Sequence, residues 1–246
     1  LLELVLDQAA PLHYKHPDTM RSNVVIALLV AVSGCGKLPA KLIVPPLPKV
    51  AITDVPSPAT PTIIVGKGSN LRAIATAAYH HESFSGFVGQ LNGISRPELL
   101  QAGATLKTPS LPVALRDAGL DPQYQPAANA LAKTWIDLVA ILPEYIRARY
   151  ASKARDGDRF EVPEKIRKTL LTCAETIDAS TDSLSHPQAG HVLPRSAIGN
   201  FAGASSSLQR FSQGFVESLD YDTFLVEQQF GMGFTNLLFW VQAHHK

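Results

Sequence analysis

Thr62-Ile63-Ile64-Val65-Gly66-Lys67-Gly68-Ser69-Asn70-Leu71, together with the distant run Gly103-Ala104-Thr105-Leu106-Lys107-Thr108-Pro109, decides how the chain is read. Thr62 to Val65 is a β-branched stretch that favours a strand, and Gly66 to Asn70 is a turn. Ser69 or Asn70 can cap a helix that starts near Leu71. Leu71, Ile74, Ala75 and Ala78 give that helix an apolar face at i, i+3, i+4 and i+7. Ser83 offers a second cap, Phe84, Phe87, Val88 and Leu91 repeat the helical spacing, and Asn92-Gly93 stops it. Gly103 to Pro109 reads as a closing strand. The expected order is therefore strand, helix, helix, strand.

Within that order fall Val65, Gly68, Leu71, Ile74-Ala75, Tyr79, Leu91-Asn92-Gly93-Ile94, Pro97, Leu100, Gly103, Leu106 and Pro109. On these residues the segment 62–112 resembles a LysM domain, a β-α-α-β module that binds glycans containing N-acetylglucosamine. Ser69-Asn70 stands where that family often has Asp-Thr or Asp-Ser, and the stretch from Tyr79 to Leu91 is a little long. The resemblance implies a shallow glycan groove between two loops, Gly68-Ser69-Asn70-Leu71 and Asn92-Gly93-Ile94-Ser95. Glycine permits close backbone approach to an acetamido group. The same residue types also serve as ordinary helix caps, and both roles are expected to hold together.

C-terminal to this segment the pattern changes to long helices over 122–246, so the expected class is α+β: a small mixed module followed by an all-α bundle. Pro126 suits a first helical turn. Leu131, Trp135, Leu138, Leu142 and Tyr145 then form one face, with a kink expected at Pro143. Asp156-Gly157-Asp158 breaks the helix, and Pro163-Glu164 opens another with Ile166, Leu170, Cys173 and Ile177 on one side. After a connecting loop from His186 to Arg195, a third stripe comprises Leu208, Phe211, Phe215 and Leu219. A fourth runs from about Asp222 through Val226, Phe230, Phe234, Leu237, Leu238 and Val241. Gly231 and Gly233 interrupt it, marking either a hinge or close helix contact, or a break into two helices. Stripes of this length can enclose a core.

Working towards the other end, Met20 to Cys35 has the layout of a secretory signal: Arg21, nine apolar residues from Val24 to Val32, then Ser33 and Gly34. Nine residues fall short of the about 20 that span a bilayer as a helix. The small residues before Cys35 resemble the lipobox of bacterial lipoproteins, although valine stands where leucine is usual. That resemblance implies a leader over 20–34 and lipidation at Cys35. Residues 1–19 are then expected to be an over-called upstream start. Residues 35–61 carry seven prolines and read as an extended tether of about 3.1 Å per residue, or alternatively as an ordered arm packed on the globular part. Gly36 after the cysteine resembles the sorting signal for the outer membrane, giving an expected place on its periplasmic face. Ser33 to Lys37 only imitates a phosphate loop, since Ala31 and Leu38 replace its first glycine and its metal-binding hydroxyl.

The 246 residues allow one large or two modest domains, and a formal net charge of +1 with interleaved signs argues against nucleic acid. Two cysteines imply no disulfide framework, and Cys173 reads as a small apolar residue. His80-His81-Glu82 and His244-His245 lack the i, i+3 or i+4 spacing of metal ligands on a helix. His186 and His191 leave a Cys173 pairing open. No nucleophile elbow occurs, and Glu144, Glu161 and Glu175 are the acids to weigh for a wall hydrolase. The leading expectation is a non-enzymatic, lipid-anchored protein of the bacterial envelope. It needs no cofactor or metal, and its partners are peptidoglycan or a related glycan, the membrane, and a protein met by the helical part. The alternatives are a cell-wall hydrolase with catalysis in the helical domain and an interaction scaffold whose LysM-like unit does not bind.

Overall fold

Strand β1 (Thr62–Ile64) pairs antiparallel with β2 (Thr105–Lys107), Thr62 lying opposite Lys107 and Ile64 opposite Thr105 in the computed structural model. The structure describes residues 62–97, 100–155, 157–186, 193–215 and 221–244. The leader, the lipidation site Cys35, the phosphate-loop imitation and the proline-rich arm fall outside the described residues, as does His191.

Two short strands are marginal in water and need helices against them. Helix α1 (Leu71–Tyr79) supplies the first, with Leu71, Ile74, Ala75, Ala78 and Tyr79 buried. It starts where the Asn70 side chain accepts a hydrogen bond from the Ala73 amide at 2.9 Å. It ends at His80, whose φ of 67° is left-handed. A 3₁₀ turn over Glu82–Phe84 leads into α2 (Ser85–Leu91), so these segments follow in the order strand, helix, helix, strand.

A short helix that the sequence pattern did not announce, α3 (Leu111–Asp117), then buries Leu111, Ala114 and Leu115. Helix α4 (Gln125–Ser152) has proline in its first turn, as expected of Pro126, and does not end at Pro143. Its stripe Leu131, Trp135, Leu138, Leu142 and Tyr145 is buried. Helix α5 (Glu164–Ser185) buries Ile166, Leu170, Cys173 and Ile177.

Helix α6 (Arg195–Ser212) is shorter than the third stripe implied. Leu208 and Phe211 are buried on it, but Phe215 lies beyond its end and Leu219 lies outside the described residues. Gly214 turns the chain with φ of 71°, and a Cβ there would lie 2.0 Å from the Phe160 carbonyl oxygen. Phe215 thereby bridges Arg159 instead of extending the helix.

Helix α7 (Tyr221–His244) runs without a break through Gly231 and Gly233. The glycines allow close approach: a Cβ on Gly231 would sit 2.5 Å from the Ser83 carbonyl oxygen, and one on Gly233 would sit 2.7 Å from the Phe201 ring. No helix among the described residues is long and apolar enough to cross a membrane.

The described chain is thus mostly helical with one small sheet, an α+β composition. Among the described residues one hydrophobic cluster includes side chains from both sides of residues 112–122. Phe84 and Phe87 of the smaller segment meet Phe234 of α7 at ring-centroid separations of 6.1 and 6.4 Å, and Phe84 also meets Trp135 at 5.0 Å. The indole Nε1 of Trp135 donates to the Tyr79 carbonyl at 2.9 Å, and Ser83 Oγ donates to the Glu227 carbonyl at 2.8 Å.

Candidate functional site

The turn after β1 and the turn after α2 come together at one groove. Gly66 to Ser69 closes on itself, with the Ser69 amide donating to the Gly66 carbonyl at 3.1 Å and Gly68 at φ of 78°. After α2, Gly93 takes φ of 66°, and the Ile94 amide returns to the Gly89 carbonyl at 2.8 Å. Between the two turns lies a groove of about 780 Å³. Asn70 and Leu71 line it from one turn and Ile94 and Ser95 from the other, while Gly86 and Gly89 of α2 form its floor. A Cβ on Gly89 would meet the Ile94 carbonyl oxygen at 3.2 Å, so glycine lets that loop lie close to the helix.

Four of the eight expected residues therefore line the groove and four do not. Gly68 and Ser69 shape the first turn without lining the cavity, and Gly93 lines a neighbouring depression. Asn92 is committed to the fold. Its Nδ2 donates to the carbonyls of Val88 and Lys107 at 2.9 and 3.0 Å, and its Oδ1 accepts from the Lys107 amide at 2.7 Å. Those bonds fasten the end of α2 to β2. The Asn70 side chain is likewise occupied as a helix cap.

Seven groove residues were not among those expected, Arg72, Gln90 and Thr235 included. Arg72 and Gln90 were legible as neighbours of the loops. Thr235 was not, because it comes from α7, far away in the chain. Its methyl would lie 3.2 Å from a Cβ on Gly86, and its hydroxyl donates to the Gly231 carbonyl at 2.7 Å.

No carboxylate lines this groove among the described residues. Glycoside hydrolysis ordinarily uses a pair of them. The groove offers backbone amides and carbonyls, hydroxyls, the amide side chains of Asn70 and Gln90, one guanidinium and the apolar surface of Leu71, Ile94 and Pro97. Such a set can hold a neutral polar ligand with a small methyl group.

The acids considered for hydrolysis lie elsewhere. Glu144 faces Lys165 at 3.8 Å, Glu161 lines a separate cavity beside the Glu164–Arg167 ion pair, and Glu175 is exposed on α5.

The histidines have structural surroundings. His81 Nδ1 accepts from the Ser83 amide at 3.2 Å, and its Nε2 lies 3.2 Å from Glu227. His244 stacks on Trp240 with ring centroids 4.4 Å apart. Among the described residues no group of three His, Cys, Asp or Glu is placed to hold a metal ion.

Cys173 is buried, and burial pushes its thiol up to about 12, which keeps it protonated. His186, exposed at the far end of the same helix, lies about 20 Å along the axis by the helical rise, so the two form no pair.

No model of a known protein family matches the chain, no curated protein matches its sequence, and no solved structure matches its fold.

Proposed function

We propose that residues 62–112 act as a LysM-type unit that binds glycans containing N-acetylglucosamine, peptidoglycan foremost, without cleaving them. The observation that carries this reading is the convergence of Asn70-Leu71 and Ile94-Ser95 on one groove. The groove's chemistry supports it as well: backbone groups and amides suit an acetamido substituent, and Leu71, Ile94 and Pro97 suit its methyl.

The leader-like run over 20–34 and the small residues before Cys35 support an envelope protein acylated at that cysteine and held at the periplasmic face of the outer membrane. The diacylglyceryl group that a lipobox cysteine receives carries two acyl chains, enough for stable anchoring, and glycan binding would add a second attachment, to the wall. The helical part would then present its outer surface to a protein partner.

Co-sedimentation with purified peptidoglycan tests the glycan reading. Asn70 and Asn92 are poor choices for substitution because both hold the fold together. Ser95→Trp is better, since Ser95 is exposed, lines the groove and makes no hydrogen bond among the described residues. The wild-type chain is expected to sediment with the wall without releasing reducing sugar. The variant is expected to keep its melting temperature and remain in the supernatant. Equal sedimentation of both proteins would remove the groove from the account, and release of reducing ends would make the protein a hydrolase.

A further inference from the structure

Helix α7 carries Thr235, Phe239 and Gln242 at i, i+4 and i+7, which places them on one face. Thr235 lines the groove just described. Phe239 and Gln242 line a second depression of about 630 Å³, whose other side is formed by Leu91, Gly93 and Ala118. Gln90 belongs to both cavities, and its Nε2 donates to Gln242 Oε1 at 2.7 Å. The two depressions thus adjoin along the seam where α2 and α7 pack.

Phe239 is 60% exposed, although α7 buries Phe230, Phe234, Leu237, Leu238 and Val241 completely. A wet aromatic ring beside glutamine amides is a favourable surface for a sugar. The C–H face of a pyranose can lie on the ring, and its hydroxyls can exchange hydrogen bonds with the amides. From Thr235 to Gln242 the helical rise amounts to about 10 Å, longer than a single pyranose ring.

We propose that this second depression is a further saccharide subsite, with Phe239 as its stacking platform, occupied by a sugar of the same glycan chain that fills the groove at Asn70 and Ser95. The inference rests on the glycan reading of that groove and assigns to the helical part a direct share in binding. The groove of about 780 Å³ holds two sugars, Gln90 marks the junction, and α7 receives a sugar farther along the same chain, beyond the reach of a disaccharide.

Calorimetric titration of the full chain with soluble N-acetylglucosamine oligomers, the disaccharide and the hexasaccharide, tests it. Phe239→Ala removes an exposed ring and leaves the core intact. It is expected to weaken hexasaccharide binding about three- to tenfold and leave disaccharide binding unchanged. Phe239→Tyr is expected to restore the long-oligomer affinity. If Phe239→Ala binds the hexasaccharide as tightly as the wild type, or weakens both oligomers equally, the subsite is overturned while the groove stands. If the wild-type chain binds neither oligomer, both fall.

Discussion

His80 holds a left-handed conformation, φ of 67°, at the position where α1 stops. Glycine is the residue that does this without steric cost; a side chain there costs roughly 1–2 kcal/mol. Burial also lowers the affinity of the His80 imidazole for a proton below its ordinary value of 6.5. The unfolded chain therefore takes up a proton first as pH falls, so His80 makes the fold lose stability on acidification through and below about 6.5. Replacing His80 with glycine is expected to raise stability by up to about 1 kcal/mol near pH 8 and to flatten the acid slope. Urea unfolding at neutral and mildly acidic pH measures both effects. Glycine's greater unfolded entropy offsets part of the gain. Single residues such as this show where sequence reading stops. Asn70 lines the groove and Asn92 does not, and the side chains of both are spent on a helix cap and a strand clasp. Residue type reveals hydrogen-bonding capacity, and only the folded neighbours decide where it goes.

The helices were the most legible elements, because each apolar stripe has the 3.6-residue period that burial requires. Their ends were less so. The third stripe continues at helical spacing from Phe211 to Phe215, but Gly214 turns the chain where only a residue without Cβ fits against Phe160. The short α3 went unread because a helix of this length shows too few repeats to establish a period. For Gly231 and Gly233 the sequence offered a hinge, a close contact or a break, and the uninterrupted α7 selects close contact. Gly231→Val should therefore force Ser83 away from α7, at a cost of about 3 kcal/mol or more, judged from overpacking of other cores. Gly199→Val is the control, because nothing lies within 4 Å of a Cβ at Gly199. Thermal unfolding monitored by circular dichroism is expected to show a large fall for the first and no fall, or a slight rise, for the second, because valine is a better helix former than glycine.

In the assembled protein each segment keeps the apolar faces legible in its sequence, but which face meets which is not legible there. Periodicity identifies a surface that must be covered and carries no address for its cover. Phe84 and Phe87 are fully buried, and part of their cover is Phe234 and Trp135 from the helical part. A fragment of residues 62–112 would expose both rings, and a domain so small is already marginal. We expect that fragment to give a disordered proton NMR spectrum, whereas a chain covering 62–246 gives dispersed signals. A dispersed spectrum from the short fragment would show that its own helices and strands suffice. The joining contacts also impose an order on assembly. Ser83 bonds to Glu227 and Gln90 to Gln242 across 144 and 152 positions of chain, so a polypeptide emerging from a ribosome or translocon must deliver the residues around 227–242 before the earlier helices find these partners. During that interval Phe84 and Phe87 are open to chaperones, making the waiting nascent chain, more than the finished protein, the form most prone to clump.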